Sequence, residues 1–288
     1  MWVIFGLLSA FFDALLNINA KKNTKNIDSL VVSWLWMLCA SPIVILPALF
    51  IGFAEVDKIF WIALLIRTIL DTVAVILYVK ALKESDISLS QPMLGLTPIF
   101  ILVISYFLNG DVPSSLAFGG VVLVAVGIYF NNMGSSKGNI LKPFLSIWRN
   151  RGTRLMALVA IIWSGTGSLH TLAIKHSDSF TYVAIGIPLI AFVLSVCVLL
   201  FRRNEAREAF NKLSIFQLIK IGLYDGFSLI SQMIGQGLTQ AVYLISLKRS
   251  SIIITAFLAK KEFGEKIKGR IFPIFLIVVG ILLIVLFN

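Results

Sequence analysis

The chain has 288 residues, 58% of them hydrophobic and only 14% charged. A soluble domain of that size would lack the polar surface to cover itself, so the composition excludes a water-soluble globule and indicates an integral membrane protein. The formal charge of +11 falls in short clusters between apolar runs, with no basic face or nucleic-acid motif; this excludes nucleic acid as a partner and makes the charge a matter of topology.

A hydrocarbon core of ~30 Å calls for about 20 helical residues at ~1.5 Å each. Laid along the chain, that ruler predicts an all-α integral membrane fold of ten transmembrane helices. The first, Trp2 to Ala20, carries Asp13 and, one turn later, Asn17. The second, Leu30 to Phe53, contains Cys39 and Pro42, and the third, Ile59 to Val79, carries Arg67 and Asp71. Residues four apart share a helix face, so Arg67 and Asp71 can pair. The fourth, Ile87 to Leu108, contains Pro98; the fifth runs from Ser114 to Phe130. A linker at 133–152, with Gly134-Ser135-Ser136 and the basic Trp148-Arg149-Asn150-Arg151, follows.

The sixth helix, Arg154 to Ile174, holds His170, and the seventh, Phe180 to Phe201, contains Pro188 and Cys197. Arg203 to Lys212 reads as a short polar loop or surface helix. The eighth, Ile215 to Gly235, carries Asp225 and Gln232; Gln232, Gln236 and Gln240 recur every four residues toward the ninth, Ala241 to Ala259. Lys248 and Arg249 lie in the middle of that ninth helix, and Ile271 to Phe287 is the tenth. One long helix from Ile215 to Leu247 is excluded, because it would leave only Ser250 to Ala259, roughly 15 Å, for a span that must cross twice that thickness.

The two halves of this design repeat. Asp71 matches Asp225, and Gly110-Asp111 matches Gly264-Glu265, at an offset of 154; Asn17 matches His170, and Val126-Gly127-Ile128 matches Val279-Gly280-Ile281, at 153. Residues 1–132 and 153–288 therefore read as two five-helix repeats. Five is odd, so the repeats insert in opposite orientations, as two inverted five-helix repeats. Of the 25 Lys and Arg, 20 fall in the loops after helices 1, 3, 5, 7 and 9, two (Lys58 and Lys175) in the other loops and three (Arg67, Lys248 and Arg249) within spans. The positive-inside rule places the first set in the cytoplasm and both termini outside. Met1 onward lacks the basic n-region of a cleavable signal peptide.

The order of several short words resembles the drug/metabolite transporter superfamily, particularly its EamA-like bacterial members. In the first half these are Tyr78-Val79-Lys80-Ala81-Leu82-Lys83, then Pro98 and Gly110-Asp111. In the second they are Ser246-Leu247-Lys248-Arg249, Phe263-Gly264-Glu265-Lys266 and Val279-Gly280-Ile281. The resemblance covers nearly the whole chain and implies a carrier of small metabolites that works by alternating access in the inner (plasma) membrane. Members of the superfamily commonly have cytoplasmic termini, opposite to the charge count. The Lys248-Arg249 pair also resembles that of the plastid sugar-phosphate translocators, whose paired cations bind substrate phosphate; here a few more residues separate the pair from Phe263-Gly264-Glu265-Lys266.

A charge inside a span costs ~2.5 to 3.5 kcal/mol on insertion scales and faces a partner or a watery cavity. The candidate substrate-binding residues are therefore Lys248, Arg249, Asp71, Asp225, Arg67, Asp13, Asn17, His170, Gln232 and Gln236. For Arg67 and Asp71 the alternative is mutual neutralisation that merely permits insertion. For His170 it is a packing role instead of a proton relay, and for the glutamines it is helix-to-helix hydrogen bonding. Asp225, with no arginine one turn away, is the better proton site of the two repeated acids. Adjacent residues point about 100° apart, so one of Lys248 and Arg249 is expected to face the cavity and the other a neighbouring helix or Asp225. Pro42, Pro98 and Pro188 are either gating hinges or tolerated kinks. Trp2, Trp34, Trp36, Trp61 and Trp163 are scattered and form no aromatic cage by sequence; several fit an interfacial belt.

No phosphate loop, zinc-protease or nucleophile-elbow motif occurs, and only two histidines exist. The chain is expected to be no enzyme, to need no cofactor or metal, and to bind a small-molecule metabolite, protons and the lipid bilayer as a monomer or homodimer. The function expected is a secondary transporter moving a small polar or anionic metabolite by proton coupling or exchange. The alternatives are a flippase of a lipid-linked intermediate and an intramembrane enzyme built on Asp71 and Asp225.

Overall fold

The computed structural model describes residues 1–24, 27–112, 114–133, 150–264 and 271–287. Most of the expected linker and the pair Glu265-Lys266 lie outside these residues. Among the described residues the fold is all helix: α1 (Trp2–Thr24), α2 (Ser29–Ile51), α3 (Lys58–Glu84), α4 (Ile87–Ser90), a 3₁₀ turn (Gln91–Leu96), α5 (Thr97–Asn109) and α6 (Ser115–Met133) make the first half. The second half holds α7 (Arg151–Lys175), α8 (Ser179–Phe201), α9 (Arg203–Lys212), α10 (Ile215–Leu238), α11 (Ala241–Lys248), α12 (Ser251–Phe263) and α13 (Ile271–Phe287).

Short polar residues set where these helices begin. Asp28 accepts a hydrogen bond from the Leu30 N–H at 2.9 Å to start α2, and Asp178 accepts from Phe180 at 2.7 Å to start α8. Each carboxylate satisfies an N–H that the first helical turn leaves without a partner. Asp57 caps α3 through the Phe60 N–H at 2.9 Å, and Ser214 forms a capping box with Gln217 at the start of α10. Helices α5 and α12 both stop at a left-handed glycine, Gly110 and Gly264, each with φ of +69°.

The helices are apolar outward and polar inward. On α3, Ile62, Ile66, Ile69 and Val73 are exposed, whereas Arg67, Thr68, Asp71 and Tyr78 are buried. Water would favour the opposite arrangement, and lipid favours this one. Among the described residues six helical stretches are long and apolar enough to cross a membrane: α1, α2, α3, α7, α8 and Ala241–Phe263 taken as one. Helix α10 joins α9 at a bend of 104°, and that pair taken as one brings the number to seven. Met93–Asn109, Ser115–Gly127 and Phe275–Phe287 are shorter apolar helices.

Two spans expected as continuous are broken. The fourth passes from α4 through the 3₁₀ turn into α5, and Pro98 sits in the first turn of α5 instead of interrupting it. Proline is at ease there because the first-turn N–H has no helical acceptor to lose. The ninth breaks at Arg249–Ser250, between α11 and α12. Pro42 and Pro188, by contrast, lie inside helices that run through them. Arg203 to Lys212 is a helix and not a loop.

Helices pair across the two halves: α3 against α7, α1 against α10, α2 against α8, and α6 against α13. Weaker pairs are α5 with α7 and α12 with α1, α2 with α10 and α3 with α8. Exchanging each helix for its counterpart in the other half leaves this set of pairs unchanged. Helices α6 and α13 approach closely at two glycines: a Cβ on Gly120 would lie 2.7 Å from the Gly280 carbonyl oxygen, and one on Gly280 2.6 Å from the Gly120 oxygen. Only hydrogen atoms fit between those backbones.

Candidate functional site

Where α1, α3, α7 and α10 converge on the break between α11 and α12, they enclose a cavity of about 100 Å³. Nine of the ten expected residues line it: Asp13, Asn17, Arg67, Asp71, His170, Asp225, Gln232, Lys248 and Arg249. The tenth, Gln236, stands behind Gln232, accepting from its Nε2 at 3.2 Å and donating to the Gly167 carbonyl at 3.2 Å. Gln240 is separate from this pair: it precedes α11 and points at the Val112 carbonyl.

On one side Arg67 Nε donates to Asp71 Oδ2 at 2.6 Å within α3, and His170 Nε2 from α7 lies 3.4 Å from both groups. The Tyr182 ring covers the guanidinium at 5.4 Å. A cation, an anion and an imidazole thus hold one another at the cavity wall, each nearly buried. On the other side Lys248 Nζ donates to Gln232 Oε1 at 2.6 Å and lies 3.7 Å from Asp13 Oδ1. Asn17 donates to Asp13 at 3.2 Å and accepts a short hydrogen bond from the Tyr78 hydroxyl, which in turn accepts from Gln91 Nε2 at 3.0 Å. Gln91 belongs to the 3₁₀ turn, so the broken span is tied to the cavity through Tyr78.

Two charged groups have no contact of this kind. Asp225 is 5% exposed and makes no hydrogen bond or ion pair among the described residues; its Oδ2 is buried without a partner. Arg249 is 4% exposed, its Nε lacks a partner, and its guanidinium faces the Trp163 ring at 5.8 Å. Both Lys248 and Arg249 line the cavity, in place of the expected split between cavity and neighbouring helix. Lys248 is the last residue of α11 and Arg249 its cap, still in the right-handed helical region.

Sequence reasoning missed the aromatic wall. Trp36, Tyr78 and Trp163 line the cavity with ring centroids 6.0 Å apart for Trp36 and Tyr78 and 5.0 Å for Tyr78 and Trp163. A signal for Tyr78 existed: positions 67, 71, 75 and 78 step by four, four and three, so they share one helix face. Trp163 and Thr166 precede His170 on α7 by the same rule, whereas nothing local distinguishes Trp36 from an interfacial tryptophan. Among the described residues no group of three or more His, Cys, Asp or Glu has a metal-holding arrangement.

Residues 1–133 match the family model of EamA-like transporters. Over those residues the chain is similar to that family. That family is one of membrane transporters, and among the described residues this protein has six helices, or seven with the bent pair, long and apolar enough to cross a membrane. A solved crystal structure of a protein is similar over 99% of this chain and 96% of its own, with a TM-score of 0.73 and 16% identity. At that identity the likeness concerns the fold alone. No curated protein matches the chain.

Proposed function

We propose that the chain is a secondary transporter that moves a small polar metabolite bearing an anionic group by alternating access. In this reading residues 1–132 and 153–288 are two inverted five-span repeats in the inner (plasma) membrane, and the cavity between them is the substrate site. The exchange-symmetric helix pairing supports the two-repeat part. So does the placement of the charged loops: Lys22–Glu262 at 2.6 Å, Lys21–Asp86 at 3.7 Å and Arg151–Glu84 at 3.2 Å join loops expected on the basic side, while His176–Asp57 at 2.8 Å joins loops expected on the other.

The observation that carries the substrate reading is Arg249, a buried guanidinium that meets a ring and, among the described residues, no carboxylate. Leaving such a group unpaired at mid-membrane is costly, so an anion arriving there gains most of its lost hydration back in one bidentate contact. Asp225 supplies the second charge of the cycle, taking a proton or a cationic group. Uptake into proteoliposomes of labelled anionic, zwitterionic and cationic solutes tests this. Arg249→Gln should lower the rate for the solute preferred by the parent by about tenfold or more without loss of folded protein. An unchanged rate would refute the role of Arg249, and flux supported solely by a lipid-linked compound would favour a flippase.

A further inference from the structure

The charges that line the cavity balance: Arg67, Lys248 and Arg249 against Asp13, Asp71 and Asp225. Arg67 is spent on Asp71 at 2.6 Å, and Lys248 on Gln232 and Asp13 at 2.6 and 3.7 Å. What remains is one guanidinium and one carboxylate, Arg249 and Asp225, each more than nine-tenths buried and without an ion-pair partner among the described residues. Asp225 feels Lys248 and Asp13 at longer range, and Arg249 feels Asp13, but neither touches them.

From this pair we infer that the substrate is a zwitterion, with a carboxylate toward Arg249 and an ammonium toward Asp225. A simple anion would quench Arg249 and leave Asp225 without a counter-charge, so that the carboxylate must take a proton to avoid standing bare in a medium where an isolated charge is expensive, whereas an ammonium meets it directly. A simple cation would leave the opposite error. A molecule carrying both groups quenches both ions and leaves the balance at zero. Trp36, Tyr78 and Trp163 offer the remainder of the substrate an apolar wall beside the charged groups.

This inference rests on the proposed substrate site but not on flux, so it is tested by binding to the purified full chain in detergent, using tryptophan fluorescence and calorimetry. The probes are L-valine with its single-charge analogues isovalerate and isobutylamine, and γ-aminobutyrate with butyrate and propylamine. For at least one set the zwitterion should bind about tenfold more tightly than either analogue, or by ~1.4 kcal/mol. Asp225→Asn should lose about tenfold for the zwitterion while carboxylate binding rises to meet it; Arg249→Gln should do the same with the amine. Should Asp225→Asn fail to fold, Asp225→Ser and the parent's own selectivity serve in its place. A carboxylate that binds the parent as tightly as its zwitterion, no measurable zwitterion binding, or a preference that survives both substitutions would overturn the assignment. Selective binding without flux in proteoliposomes would instead refute the carrier and leave the zwitterion site standing.

Discussion

Asp71 and Asp225 occupy matching places in the two halves, 154 residues apart, and both line one cavity, yet their surroundings differ in nearly every respect. Asp71 has Arg67 one turn before it and His170 across from it. The matching positions around Asp225 are Ile221 and Asn17, an apolar side chain and one already engaged by Asp13 and Tyr78. The helix pairing, meanwhile, is unchanged when the halves are exchanged, and α5 and α12 both end at a left-handed glycine, Gly110 and Gly264. A few inward side chains make the difference: they hold one acid in an ion pair and leave the other without a partner among the described residues.

The largest expected effect separates these roles. Asp71→Asn strands Arg67 in the membrane interior and should destabilise the detergent-solubilised protein by about 3 to 5 kcal/mol, whereas Asp225→Asn removes an acid without a partner among the described residues and should leave thermal stability unchanged or raised. The double variant Arg67→Gln/Asp71→Asn should recover much of the single-variant loss, because no isolated charge is left behind. Equal destabilisation by Asp71→Asn and Asp225→Asn would erase the contrast.

The symmetric frame should respond symmetrically. Gly120→Ala and Gly280→Ala each drive a methyl into the facing backbone at 2.7 or 2.6 Å and should cost about 1 to 3 kcal/mol apiece, measured as thermal unfolding. Costs that differ strongly between the two would show that α6 and α13 are not equivalent in the assembled protein.

The smallest effect concerns the Asp57 carboxylate, fully exposed at the start of α3. The Phe60 N–H, and after it His176, hold its pKa below the ordinary 3.8. A depressed carboxyl stabilises the fold fully above its ordinary pKa, and the contribution is lost as pH falls through the lower folded-state value. Asp57→Ala should therefore lower the melting temperature slightly at neutral pH and show no difference from the parent in strong acid; a gap that persists in acid would assign the effect to something other than the charged cap.

Hydrophobic stretches of bilayer length, the offset of 153 to 154 and the buried ions were all legible in the residues, because lipid imposes its demand on each segment independently. Nine of the ten expected site residues share a cavity for the same reason: an ion inside a span has nowhere to go but inward. Partnership was another matter. Lys248 meets Gln232 and Asp13, and Arg249 meets Trp163, through contacts between helices far apart in the chain. The breaks at Gln91–Leu96 and at Arg249–Ser250 were likewise invisible to a ruler that counts apolar residues, since breaking a helix leaves hydropathy unchanged. Hydrophobicity is a property of each residue, and pairing is a property of distances between helices; only folding sets those distances, and with them which of two repeated acids is left without a partner.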